Sequence, residues 1–181
     1  YQYSNKVGAV LSRRNRIHNR MPHASHRLDL LVVPSDIDQT LNEDALHDLF
    51  TRWNVDELGM CVESKSLIEG GCRRIWIDRP GRLWLYANQS GGFRAYCPVT
   101  SENVSESFGR AHREWKSGGD RALACSCGQL HALEHVRLRP PGAFARWALV
   151  FSSANGTRLS HQAARDLEEH VGEYRVLLRR P

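Results

Sequence analysis

The segment Arg73–Ala87 constrains the fold most. Ile75 and Ile77 alternate with Trp76, and Leu83 and Leu85 alternate with Trp84 and Tyr86. Successive side chains of a strand point to opposite faces. Both faces of each run are therefore apolar, and a sheet built from them must be covered on both sides or meet a partner. Between the runs, Arg79-Pro80-Gly81-Arg82 puts Pro and Gly where a type II turn takes them. This predicts a β-hairpin over 73–87, covered on both faces in the centre of the fold.

The remaining pattern supplies the cover. Leu28–Val33 is a compact apolar run ended by Pro34, which reads as a buried strand. Thr40 with Glu43 three residues later predicts a capping box, and Leu46, Leu49, Phe50 and Trp53 predict an amphipathic helix over 41–53. After Gly91-Gly92, Phe93–Cys97 reads as a short strand. Ser101 is expected to cap a helix with the stripe Val104, Phe108, Ala111 and Trp115, stopped by Gly118-Gly119. Arg121–Cys125 and Trp147–Phe151 read as strands, Ser160–Val171 as a helix closed by Gly172, and Tyr174–Leu178 as a last strand. The spacing is not that of regular βαβ units. The expected class is α+β: a small mixed or antiparallel sheet with two or three helices.

Length and charge bound the function. The chain has 181 residues, enough to bury a core without disulfides, and no apolar run approaches the roughly 18 residues of a membrane helix. The formal charge is +5, from 25 basic and 20 acidic residues. Residues 1–27 hold Lys6, Arg13, Arg14, Arg16, Arg20 and Arg27 and no acid, which leaves 19 basic against 20 acidic residues in 28–181. The basic character thus belongs to the leader, expected to be a flexible tail with the natural start near Met21. Residues 28–181 are expected to form a single domain, and its near-neutral balance weighs against nucleic acid as its partner.

Five cysteines is an odd count, and no export signal accompanies them, so a full disulfide framework is not expected and the cytoplasm is. Cys61 and Cys72 stand in apolar surroundings and read as buried thiols. Cys97-Pro98-Val99-Thr100 closes one expected strand and Cys125-Ser126-Cys127-Gly128 another. Two strand-end knuckles facing each other are the geometry of a zinc ribbon. Each knuckle lacks one thiol, because Thr100 and Ala124 occupy positions where cysteines would stand. Cys97, Cys125, Cys127 and the nearby His131 remain as a three-thiolate, one-imidazole zinc set, provided Cys125 turns inward. A ribbon held by packing alone, or a Cys97–Cys127 disulfide, are the alternatives.

A resemblance rests on Arg79-Pro80-Gly81, the run Leu85 to Arg94 with its Gly91-Gly92-Phe93 turn, and Cys97-Pro98. It continues through Ala111, Trp115 and Gly118-Gly119 to Cys127-Gly128, His131, Pro140-Pro141, Ala143 and Phe144. These residues resemble a family of short uncharacterised bacterial proteins, some of which carry the label "sugar ABC transporter ATPase". The resemblance covers about residues 28–179 and implies a small α+β domain with a ribbon-type insert, here 91–135. It implies no activity.

The residues themselves weigh against the enzymes considered. Gly59-Met60-Cys61-Val62-Glu63-Ser64-Lys65-Ser66 misses the second glycine of a phosphate-binding loop, and Gly70-Gly71 follows too soon for the helix such a loop needs. His112-Arg113-Glu114 with Cys125 and Cys127 lacks the Pro-Cys-x-x-Cys of a zinc deaminase. Arg73, Arg74, Arg79, Arg82 and Arg94 around the hairpin could form a modest basic surface, or serve as solvated sheet-edge charges. The expectation is a non-enzymatic protein that binds a macromolecule, protein in preference to nucleic acid, through a degenerate ribbon-containing domain. The alternative is a small zinc- or thiol-dependent enzyme using the Cys97/Cys125/Cys127/His131 cluster.

Overall fold

The computed structural model describes residues 28–88, 90 and 92–180 of the protein; the basic tail expected over 1–27 lies outside them. In chain order the elements are β1 (Leu28–Pro34), α1 (Glu43–Arg52), the single turn α2 (Ser64–Leu67), β2 (Arg74–Asp78), β3 (Trp84–Tyr86), β4 (Arg94–Tyr96) and α3 (Ser105–Lys116). There follow β5 (Ala122–Ala124), β6 (Leu130–Ala132), β7 (Arg137–Arg139), β8 (Ala143–Ala145), β9 (Ala148–Ala154), α4 (His161–Val171) and β10 (Tyr174–Arg179). The class is α+β, and every strand pairing is antiparallel.

The largest sheet has four strands in the order β10-β1-β9-β2. The two-residue period divides its side chains between two cores. Leu30, Val32, Ile75, Leu149 and Phe151 face α1 and α4, meeting Leu46, Leu49, Trp53, Ala163 and Leu167. Leu31, Val33, Val150, Leu177 and Trp76 face the other way, against Trp84, Tyr86, Ala143 and Ala145 of the β3–β8 pair. Burial is complete at the centre, with Leu30 to Val33 all 0 % exposed. The β3–β8 pair has a second face. Leu85 and Phe144 join Ala95, Phe108, Ala111, Leu123 and Leu133 in a third core around α3.

The hairpin expected over 73–87 does not form. All five residues of β2 pair with β9, while β3 pairs with β8 in a different sheet. Gly81 does take the left-handed conformation of a tight turn, φ 75°. The turn carries the chain from one layer to the layer stacked on it, and Trp76, Trp84 and Tyr86 meet across that gap. The requirement that both faces be covered is met by stacking, not by hairpin pairing.

The helix caps differ from expectation for traceable reasons. Asn42, not Thr40, caps α1, its side chain accepting from the Ala45 N–H at 3.1 Å. Ser160 caps α4 as expected, accepting from the Ala163 N–H. Ser101 cannot cap α3, because its backbone is turned to φ 61° and its N–H is used by the Cys97 carbonyl. The helix starts at Ser105 instead, whose Oγ accepts from the Ala95 N–H and donates to Asn103.

A charged tie joins α1 to α4. The Asp166 side chain is buried, and it accepts from Trp53 Nε1 at 2.8 Å, Gln162 at 2.8 Å and Arg52 at 3.1 Å. Burial favours the neutral acid and pushes the pKa up, but the three donors outweigh burial and hold the carboxyl below its ordinary value.

Candidate metal centre

Two loops beside the third core bring the chemistry together. The first leaves β4 at Cys97, which is fully buried. The Cys97 N–H donates to the Glu102 carbonyl at 2.9 Å and the Ser101 N–H returns to the Cys97 carbonyl at 3.0 Å, closing residues 97–102 into a compact turn. Inside that turn the N–H groups of Val99 and Thr100 both point at Cys97 Sγ, each at 3.4 Å. The second loop joins β5 to β6. The Cys125 N–H donates to Gln129 and the Gly128 N–H to the Cys125 carbonyl. Gly128 sits at φ 81°, a conformation glycine adopts without the penalty a Cβ brings. His131, on β6 opposite Leu123, is 7 % exposed.

All four expected ligands converge. One potential donor atom from each of Cys97, Cys125, Cys127 and His131 lies within 4.8 Å of all the others. His131 Nε2 is 3.6 Å from Cys97 Sγ and 3.2 Å from Cys127 Sγ. Cys125 therefore does turn inward from its offset position. Its sulfur contributes to the field at Cys97 and at Cys127. A set of three soft sulfurs and one imidazole could hold a metal ion.

Electrostatics within the cluster is uneven. The Thr100 hydroxyl first, then the Thr100 N–H, outweigh burial at Cys97, and with help from Val99 and Cys125 the thiol is lowered to about 5. Thr100, standing where a second cysteine of the knuckle would be, thus acts as a donor toward the thiolate that remains. At Cys127 the Gln129 N–H pulls the thiol down, but burial and the sulfurs of Cys125 and Cys97 prevail and leave it raised. Crowded sulfurs resist ionising together until a cation joins them, and thiolate is the form that ligates.

Supporting contacts absent from the sequence reading surround the loops. Arg137, on the three-residue strand β7, donates to the Pro98 carbonyl at 2.8 Å and lies 3.5 Å from Ser101 Oγ. Ser126 Oγ donates to Glu102 at 3.0 Å and so ties the second loop to the first. Nothing in the run Arg137-Leu138-Arg139 marks these roles, because they depend on a turn 36 and 39 residues away in the chain.

The other candidates lie elsewhere. With no hairpin to gather them, the five arginines spread out. Arg74 begins β2 at the edge of the large sheet, and Arg73 precedes it with its N–H on the Ser152 carbonyl. Arg79 pairs with Glu43 of α1, Arg82 lies over the Trp84 ring at 5.6 Å, and Arg94 is on β4 opposite Arg139. His112 stacks on Phe108 at 5.9 Å and packs against Trp115 and Phe144, and burial followed by Lys116 and Arg113 keeps it toward its neutral form. Cys61 and Cys72 border the first core, and burial pushes the Cys72 thiol up to about 11. The Gly59–Ser66 segment ends in α2, four residues long, and the Gly59 carbonyl and N–H are committed to Ile75 and Asp56. No helix among the described residues is long and apolar enough to cross a membrane. Compared with protein-family models, curated proteins and solved structures, the chain matches none.

Proposed function

We propose that Cys97, Cys125, Cys127 and His131 hold one structural zinc ion, and that the ribbon-like unit it closes serves to bind a protein partner in a reducing, cytoplasmic setting. The observation that carries this reading is the convergence of four donors within 4.8 Å. A tetrahedral zinc with Zn–S near 2.3 Å and Zn–N near 2.0–2.1 Å sets sulfurs about 3.8 Å apart and a sulfur about 3.6 Å from the nitrogen. The Cys97–His131 distance is 3.6 Å and the Cys127–His131 distance 3.2 Å, so an ion requires only small movements. Paired N–H donors on the first sulfur and a glycine turn behind the last also suit a thiolate site. The resemblance to short bacterial proteins with a ribbon-type insert is part of the same proposal. It places the lost knuckle thiols at Thr100 and Ala124.

Two exposed apolar side chains support the partner-binding part of the reading. Val99 at a knuckle tip and Leu130 beside the other are 60 % and 73 % exposed. Apolar tips on a hydrogen-bonded loop pair suit a protein surface better than a phosphate backbone. The enzymatic alternative at the same cluster draws on the low-lying Cys97 thiol. It is disfavoured because four donors leave no open position on the ion and because Cys97 is 0 % exposed.

Metal analysis of the purified protein tests the proposal. One zinc per chain is expected, and a cobalt-substituted sample should show the visible bands of a tetrahedral thiolate site. Protein free of zinc that also fails to take up cobalt would end it.

A further inference from the structure

The β4–β7 pair turns one face to the third core and the other to solvent. In its register Arg94 stands opposite Arg139, Ala95 opposite Leu138 and Tyr96 opposite Arg137. Directly paired residues point to the same side of a sheet, and the side alternates along each strand. Ala95 and Leu138 pack into the third core. Arg94, Tyr96, Arg137 and Arg139 therefore share the outer face, and all three arginines are exposed. The side chains agree with the register, because the Arg139 guanidinium lies 5.7 Å from the centre of the Tyr96 ring.

This face carries charge without a counter-charge. Neither strand holds an acidic residue, and Arg94, Arg137 and Arg139 form no ion pair among the described residues. Elsewhere Arg52, Arg79, Arg121, Arg146 and Arg179 each meet a carboxylate. Like charges directly opposite one another destabilise a strand pair, so the facing Arg94 and Arg139 are a local cost that an anion would offset. Glu102 of the adjoining loop accepts from Ser126 instead. Arg137 donates to the Pro98 carbonyl at 2.8 Å. That bond joins the arginine face to the knuckle that carries Val99, which is 60 % exposed.

We infer that the outer face of β4–β7 and the Val99 knuckle form one surface for an extended acidic segment of a protein partner, which rests on the protein-binding part of the reading above and names that partner's chemistry. Its carboxylates meet Arg94 and Arg139, whose planar guanidiniums take a carboxylate through two parallel hydrogen bonds. An apolar side chain of the segment packs on Val99. A single-stranded nucleic acid suits the face less well. Such a strand needs aromatic rings on which its bases stack, and the one aromatic ring of this face already holds Arg139. Residues 28–181 also carry 19 basic against 20 acidic residues, which gives no general field for a phosphate backbone.

The test uses ¹⁵N-labelled protein whose zinc content is measured on the same sample. The probe is a short peptide of Glu and Ser residues around one Leu; a counterpart with Lys in place of Glu and a short oligothymidylate are compared with it. The expected result is a saturable shift of the amides of Arg94–Tyr96, Val99 and Arg137–Arg139 with the Glu peptide and none with the Lys peptide. Arg94→Glu and Arg139→Glu should each weaken binding about tenfold. Arg94→Glu also places a carboxylate opposite Arg139 and should raise the melting temperature by about 1–4 °C, so its lost binding is not lost folding. The inference is overturned if these amides stay fixed at millimolar Glu peptide, if both variants bind as the wild type does, if Arg94→Glu melts lower, or if the oligothymidylate binds the same face more tightly. Peptide binding by protein without zinc would support this surface and remove the metal reading; zinc-loaded protein that ignores the peptide would remove this surface alone.

Discussion

The large sheet and the cysteine region solve the same problem with different means. In the sheet, strands of five to seven residues pair along their length, with one register shift between Leu28 and Leu30 where β1 meets β9, and β1 is hydrogen-bonded along both edges. Leu30 to Val33 and Leu149 to Phe151 are 0 % exposed and are covered by helices on one face and the β3–β8 pair on the other. Around the sulfurs, β4, β5, β6 and β7 have three residues each and pair only two by two. An isolated pair of short strands is marginal in water. Small units that cannot bury enough apolar surface are commonly closed by a disulfide or a metal, and all five thiols here are free. The sheet is held by burial throughout; the short strand pairs share the third core around Phe108 and Leu123, and their loops gather four donors where an ion could hold them.

Substitutions that separate these two supports should have different reach. The largest effect is expected for Cys127→Ser. Structural zinc contributes apparent binding free energies of about 10–16 kcal/mol in small zinc peptides at neutral pH. On the proposal that the cluster holds zinc, losing a ligand should release the ion and expose the amides of β5 and β6, while thermal melting of the large sheet persists as a separate transition. Coincident loss of both regions in calorimetry would show that they are one cooperative unit. Next comes Phe151→Ala. It removes a fully buried ring that packs on Trp53 at 5.9 Å and should cost about 3–5 kcal/mol of global stability, read by denaturant unfolding. Its zinc content should stay at wild-type level in the folded fraction.

A smaller effect lies in the tie between α1 and α4. Asp166→Ala strands the Trp53 N–H without its acceptor and should cost about 1–3 kcal/mol. The pH dependence has a definite sign. The folded Asp166 carboxyl lies below its ordinary value of 3.8, so the unfolded chain takes up the proton first. The stabilisation is therefore full above that value and is lost as pH falls through it toward the lower folded value. The unfolding free energy of Asp166→Asn, followed below pH 5, should fall less steeply than that of the wild type. Equal acid slopes would remove Asp166 from the account.

The parts of this molecule that were legible in its sequence are those whose signals are local. β1, α1, α4 and β10 carry several repeats of the two- or 3.6-residue period, and Ser160 caps where it stands. The four donors were legible because Cys97 and Cys127-Gly128 sit in turn contexts that aim a thiol, with His131 close behind. What was not legible depends on distant partners. Pro80-Gly81 makes a real turn, yet the choice between hairpin and stacked layers was made by β8 and β9, more than sixty residues later. β6, β7 and β8 are too short to show any period. The Arg137 clamp likewise exists only once separate segments have met.

Amide hydrogen exchange on the zinc-loaded protein, measured before and after a strong chelator, tests the contrast most directly. The account predicts that chelation strips protection from Leu123 to Ala132 and from residues 97–102 while Leu30 to Val33 and Leu149 to Phe151 keep theirs. Protection that is unchanged in the cysteine region, or lost equally in both regions, would contradict it.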